Sequence, residues 1–169
     1  MNTHRMRSII TRSTLVAALV FGLAATVTAA EGLRFKTDLL STNELSSHDA
    51  DGRGKATVWI DAEAGTVCFD LSFRDSGTPN RAHIHVGDAN TAGGIVVPFF
   101  DIQTADTALD PRHDEMESKR RTDGCVAADP ALLAEIAANP ANYYVNLHNA
   151  RFPGGMIRGQ LGMSGGGDD

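Results

Sequence analysis

Three histidines of this sequence have a residue type and a spacing that could serve to bind a metal ion. His83 and His85 are separated by Ile84 in a segment where polar and apolar residues alternate, so both imidazoles lie on one face of a predicted strand. His148 ends a second alternating segment and also lies on its polar face. Neutral imidazole is a good ligand for copper and zinc. If the two strands are neighbours, the three side chains predict a site for one copper or zinc ion.

The same histidines also fit a purely structural role. A histidine on a strand face can pack half-exposed and hydrogen-bond to a backbone carbonyl or a carboxylate. The sequence shows no recognisable nucleophile, no pair of catalytic acids and no phosphate-binding loop. These features favour a non-catalytic binding or structural module over an enzyme. A copper- or zinc-binding metalloprotein, including a metal-dependent oxidoreductase, is the alternative.

Alternating strands must position these histidines. Alternation predicts a strand over 33–39, a hairpin over 55–74, strands over 82–86 and 95–100, and a second hairpin over 143–161. One helix is predicted to begin after Asp129, a good N-cap, with Pro130 in its first turn, and to end at Asn139-Pro140. Short strands with glycine-bearing turns and one short helix predict an all-β antiparallel sandwich or barrel.

The N-terminus has the pattern of a cleavable signal peptide. Arg5, Arg7 and Arg12 precede a short apolar run over 13–25, and small residues at 28–30 suit a signal peptidase. The apolar run holds about 13 residues, whereas a membrane-spanning helix needs roughly 20, so no stable membrane anchor is predicted. We therefore expect a secreted or periplasmic protein.

The chain divides into three predicted parts: a signal peptide over 1–30, one domain over 31–161 and a disordered Gly- and Asp-rich tail over 162–169. The whole chain has a formal net charge of −6, and cleavage removes three arginines and no acid. An acidic surface repels nucleic acid and anionic lipid. The predicted partner is an unknown extracytoplasmic protein or surface ligand.

Cys68 and Cys125 are the two cysteines of the chain. Export to an oxidising compartment favours a disulfide bond between them. Two free thiols acting as metal ligands or redox groups are the alternative, but neither cysteine belongs to a Cys-x-x-Cys pair.

Two polar segments are predicted to be loops. Residues 41–54 are rich in Ser, Asp and Gly, and residues 103–123 carry mixed charges with no apolar period. The run Lys119-Arg120-Arg121 is compatible with a basic binding patch. Nearby acids and the acidic character of the whole chain favour a solvated loop instead.

Several motifs carry a family resemblance. They are HIHVG at 83–87, GGIVV at 93–97, NPANYYVNLH at 139–148 and FPGGMIRGQL at 152–161. With GTVC at 65–68 and GCV at 124–126, they resemble the CHRD (chordin) domain as it occurs in exported bacterial proteins. The His-x-His segment is also weakly similar to Cu/Zn superoxide dismutases, in which such a pair binds copper.

The CHRD resemblance implies an immunoglobulin-like antiparallel β-sandwich of the Greek-key type, with no catalytic activity attached to the family. Asn146 in the motif at 139–148, and Arg158 and Gln160 in the C-terminal motif at 152–161, are the polar residues assigned to the family pattern. Arg158 and Gln160 can hydrogen-bond across neighbouring strands, so the motif is interpreted as a fold signature, with a ligand site as the alternative.

Overall fold

The computed structural model describes residues 32–46, 51–102 and 120–162. It contains eight strands and one α-helix over these residues, with short 3-10 turns at Ser41–Asn43 and Pro140–Asn142. The elements are β1 (Leu33–Leu40), β2 (Arg53–Asp61), β3 (Thr66–Arg74), β4 (Arg81–Val86), β5 (Ile95–Asp101), β6 (Arg121–Ala127), α1 (Pro130–Ala138), β7 (Tyr143–His148) and β8 (Ile157–Gln160).

Hydrogen bonds join all eight strands into one antiparallel sheet in the order β5-β4-β7-β8-β1-β2-β3-β6. Phe69 on β3 stacks on Phe99 of β5, at the other end of the sheet, with ring centres 4.5 Å apart. This contact shows that the sheet is strongly curled. The all-β antiparallel fold with one helix is therefore confirmed. The continuous, nearly closed sheet differs from the immunoglobulin-like sandwich that the CHRD resemblance implies. The strand pattern leaves a sandwich or a barrel open, because alternation indicates the faces of a strand but not its neighbours.

Both predicted hairpins form. β2 pairs with β3 from Arg53↔Arg74 to Asp61↔Thr66, and β7 pairs with β8. Gly159 of β8 lies where an added Cβ would overlap the Asp38 carbonyl oxygen of β1. Glycine at this position therefore lets β1 and β8 approach closely enough to continue the sheet.

Helix α1 follows its predicted signals. The Asp129 carboxylate accepts a hydrogen bond from the Leu132 backbone N–H at 2.9 Å, and Pro130 occupies the first turn. Leu133 and Ile136 bury one face of the helix in the core. An N-cap of this kind stabilises a helix by about 1 kcal/mol.

Strand β6 corrects the prediction of a loop over 103–123. Residues 121–123 belong to β6, which pairs with β3, and the Arg121 guanidinium forms an ion pair with Asp70 of β3. The polar composition hid this strand because it lies at the sheet edge and four of its seven residues are exposed. Residues 103–119 lie outside the described residues.

The other segment predicted as a loop is also partly ordered structure. Residues 41–43 form a 3-10 turn, and β2 begins at Arg53 within the segment assigned to residues 41–54. The predicted signal peptide and all of the predicted tail except Gly162 lie outside the described residues.

The predicted bond between Cys68 and Cys125 is present, and it joins directly opposed residues of β3 and β6. Neither cysteine is a free thiol.

Strands β4, β7 and β8 are buried on both faces. Every residue of β7 and β8 is buried, as are the four central residues of β4. One face is apolar and carries Ile84, Val145 and Ile157, each fully buried in the core. The other face is polar and lies beneath the β4–β5 loop at residues 87–94 and the segment after β1. The candidate site lies on this buried polar face.

Candidate metal centre

The three histidines singled out from the sequence lie on adjacent strands. His83 and His85 project from β4, and His148 ends the neighbouring strand β7, where it is paired with Arg81. Alternation places them on the same face of the sheet. Their side chains are withdrawn from solvent, with 1%, 7% and 5% of the surface of His83, His85 and His148 exposed. The structural alternative is therefore wrong in expecting half-exposed side chains, but its expectation of hydrogen bonds to backbone carbonyls is met by His85 and His148.

The imidazole rings form a nearly equilateral triangle. Ring centres are 5.1 Å apart for His83 and His148, 5.5 Å for His83 and His85, and 5.6 Å for His85 and His148. One ring nitrogen from each histidine lies within 4.8 Å of the other two. Among the described residues, this is the one group of three or more histidine, cysteine or acidic side chains close enough to share an ion.

Backbone carbonyls fix the tautomers of two of these rings. Nδ1 of His85 lies 2.9 Å from the Gly93 carbonyl oxygen, and Nδ1 of His148 lies 3.1 Å from the Pro153 carbonyl oxygen. Because a carbonyl only accepts hydrogen bonds, each Nδ1 carries the proton and each Nε2 presents its lone pair. This arrangement of an acceptor behind the ring is typical of metal-ligating histidines.

The opposite nitrogens have no protein partner. Nε2 of His85, Nε2 of His148 and Nδ1 of His83 are all buried and make no hydrogen bond. Buried polar atoms are nearly always hydrogen-bonded, so three orphaned nitrogens in one cluster require an explanation. A shared ligand would satisfy all of them at once.

Burial keeps the cluster neutral. Desolvation, followed by the neighbouring His85 and Arg81, lowers the pKa of His83 to about 4. Desolvation, reinforced by the other two histidines, lowers the pKa of His148 to about 3. Burial also lowers the pKa of His85, although its hydrogen bond to Gly93 opposes the shift. At neutral pH the rings are therefore in the unprotonated form that metal coordination requires.

A stack of aromatic and cationic groups supports His85 from behind. The His85 ring is nearly parallel to the Tyr144 ring, with centres 5.0 Å apart. The guanidinium carbon of Arg158 lies 3.5 Å from the centre of the Tyr144 ring, within the range of a cation–π contact. The Tyr144 hydroxyl accepts a hydrogen bond from the Gly93 N–H at 3.1 Å. Tyr144 and His85 are thus held by the same residue of the β4–β5 loop.

Glycine is required at position 93. A Cβ there would overlap the Val86 carbonyl oxygen, so a larger residue would displace the loop. Since the Gly93 carbonyl sets the His85 tautomer, that displacement would also disturb the cluster. Sequence reasoning included Gly93 only within a family motif. Its role at the site depends on a loop path that alternation does not reveal.

The motif residues Arg158 and Gln160 hydrogen-bond to neighbouring backbone carbonyls. The Arg158 guanidinium donates to the carbonyl oxygens of Asp88 at 3.0 Å and Thr91 at 3.3 Å. The Gln160 amide lies within 2.9 Å of the carbonyl oxygens of Gly87, Ala141 and Tyr143. These bonds fasten the covering loop to β8. The interpretation of the motif as a fold signature, with a ligand site as the alternative, stays a prediction.

Asn146 and Glu44 lie on the same buried polar face as the histidines. Asn146 is paired with His83 on β4 and with Arg158 on β8. Burial raises the pKa of Glu44 to about 7, while the nearby Arg158 and a hydrogen bond with Asn146 oppose the shift. Glu44 was not predicted, because it lies in a polar segment without periodicity. Its position next to Arg158 follows only from the fold.

Three buried histidines therefore lie together on the polar face of a curled, all-β antiparallel sheet. The sequence matches the CHRD domain family over residues 35–161. The chain therefore belongs to the CHRD domain family. Searches of curated proteins and of solved structures found no significant match.

Within the described part of the chain, no helix combines the length and apolar character needed to cross a bilayer.

Proposed function

We propose that this chain is an exported, non-catalytic CHRD module that holds one copper or zinc ion between His83, His85 and His148. The observation that carries the proposal is the set of three buried, unpartnered ring nitrogens on facing side chains. A buried polar atom without a partner destabilises the folded state by about 1–3 kcal/mol. An ion bound by all three nitrogens offsets this cost at each of them.

The spacing of the rings suits a single ion. A metal about 2.0 Å from one nitrogen of each ring would place the ring centres about 5.5 Å apart in a trigonal arrangement. The three centre-to-centre distances lie between 5.1 and 5.6 Å. The nitrogens, which now lie within 4.8 Å of one another, would close to about 3.5 Å around the ion.

The burial of the cluster favours binding over catalysis. Catalytic metal sites keep a coordination position open to water or substrate. The three ligand side chains are at most 7% exposed, and the covering loop is fastened to Arg158 and Gln160 beside them. A dismutase-like reaction would need a path for substrate to the ion, so the module is the function that we favour.

The disulfide bond supports the export part of the proposal. A bond between Cys68 and Cys125 is stable in an oxidising compartment and is rare in the cytosol. We therefore place the module in the periplasm or outside the cell, where an extracytoplasmic protein or a surface ligand is its expected partner.

Metal titration tests the proposal. Wild-type protein, prepared free of metal, should bind one equivalent of zinc or copper, and His85→Ala should bind it at least 10-fold more weakly. Asp123→Asn is the matched control, because Asp123 is an exposed acid on β6 that faces Asp70 and lies outside the cluster. Its affinity should equal that of the wild type.

Equal affinities of wild-type protein and His85→Ala would show that the histidines have only a structural role. Because loss of a buried side chain can unfold the domain, His83→Gln, which nearly preserves side-chain size, provides a second variant. Thermal melting of each metal-free variant establishes that it is folded before titration.

A further inference from the structure

We infer that the ion selected by this site is monovalent copper in preference to a divalent ion. The inference rests on the proposed function, since it requires the three histidines to be ligands. The chemistry of the ligands and the positions of two arginines determine which charge on a bound ion the cluster can accommodate.

The ligand set brings no negative charge to the ion. His83, His85 and His148 are neutral ligands, and no carboxylate or thiolate of the described residues joins their cluster. A bound ion therefore keeps its full charge in a buried site. The Born cost of burying an ion rises with the square of its charge, so a divalent ion pays about four times the penalty of a monovalent ion of equal size.

Two arginines next to the cluster add to this penalty. Arg158 is 2% exposed and lies against the face of Tyr144 opposite the histidine stack, so only one aromatic ring separates its charge from His85. Arg81 is paired with His148 across β4 and β7. Each guanidinium repels a divalent ion twice as strongly as a monovalent one at the same distance.

Glu44 compensates this positive charge only in part. It is the one buried acidic side chain of the described residues, and it interacts with Arg158 and Asn146. Burial raises its pKa to about 7, so a large fraction of the carboxyl is uncharged at neutral pH.

The number of ligands points the same way. Structural zinc sites are almost always closed by four protein ligands in a tetrahedron, whereas the cluster supplies three. Copper(I) has a filled d shell and forms stable three-coordinate complexes with imidazole. A buried triangle of three rings therefore suits copper(I) without recruiting a fourth group.

Competition titrations test the inference on the full mature protein. Copper(I), delivered without oxygen from a bicinchoninate complex, should bind one equivalent with a Kd at least 100-fold lower than that of zinc(II) at pH 7, and lower than that of copper(II). X-ray absorption of the copper(I) form should show three nitrogen neighbours. His85→Ala should weaken copper(I) binding.

The outcomes separate this inference from the proposed function. Zinc(II) or copper(II) binding as tightly as copper(I), with loss in His85→Ala, would overturn the preference for copper(I) and leave the metal site in place. Binding of none of the three ions would overturn both.

Arg158→Met tests the role of charge. This variant should reduce the ratio of the zinc(II) and copper(I) dissociation constants by about 10-fold, because it relieves the divalent ion more. Arg121→Met, in the exposed ion pair with Asp70, should leave the ratio unchanged. If Arg158→Met does not fold, Arg81→Met replaces it with the same direction expected. An unchanged ratio in the folded arginine variant would overturn the charge argument.

Discussion

The β2-β3-β6 part of the sheet and the β4-β7-β8 part differ in what lies over their second face. In β2 and β3, buried core residues alternate with residues that are partly exposed, so Asp70 of β3 reaches an arginine at the surface. In β7 and β8 no residue is exposed, so the polar side chains of Asn146 and Arg158 are shielded from solvent. Polar and apolar residues alternate along the strands of both parts. The polar residues form a candidate site only where a loop buries them.

The disulfide bond gives the largest expected effect, and it belongs to the first part of the sheet. Replacing both cysteines, Cys68→Ser with Cys125→Ser, should lower the free energy of unfolding by about 4 kcal/mol, because a long loop is no longer closed in the unfolded chain. The cysteines are 57 positions apart. Urea unfolding measures the change, and metal affinity should stay at the wild-type value. A loss of metal affinity in the folded variant would show that the two parts are not independent.

Two arginines provide the next comparison. Arg158→Ala should lower the free energy of unfolding by about 3 kcal/mol, because it removes a buried cation–π contact and bonds to two loop carbonyls. Arg121→Ala removes an ion pair whose guanidinium is 68% exposed, and such pairs contribute about 1 kcal/mol or less. Urea unfolding of both variants under one condition makes the comparison. Similar losses of unfolding free energy in the two variants would mean that burial of the polar face contributes little to stability.

The last expected effect depends on pH, is no larger than that of Arg158→Ala, and comes from Glu44 on the buried polar face. Its pKa is raised from 4.5 to about 7 on folding, so its contribution to stability is fully present below pH 4.5 and is lost as pH rises through 7. Glu44→Gln should therefore be nearly neutral at pH 4.5 and more stable than wild type by up to about 3 kcal/mol at pH 8. Asp70→Asn, on the other part of the sheet, is the control. A Glu44→Gln effect that does not change with pH would contradict the raised pKa.

Much of the fold could be predicted where local signals decide the structure. The hairpin of β2 and β3 follows from alternation and a glycine turn, and helix α1 follows from Asp129 and Pro130. The single curled sheet could not be predicted, because strand order depends on packing between distant segments. Strand β6 escaped prediction because an edge strand in a charged segment lacks an apolar face.

The candidate site divides in the same way. The placement of His83, His85 and His148 on polar faces follows from alternation, and the structure brings these faces together on β4 and β7. The burial of that face, the roles of Gly93 and Tyr144, and the position of Glu44 depend on the path of the loops. No periodicity in the sequence encodes that path.

Elemental analysis of the exported mature protein tests the central claim most directly. Protein purified from its own compartment without added metal or chelator should contain one copper or zinc ion per chain. A folded variant with His83, His85 and His148 all changed to Gln should contain none. Absence of metal from the wild type after incubation with either ion, or equal metal content in the two proteins, would contradict a metal centre at these histidines.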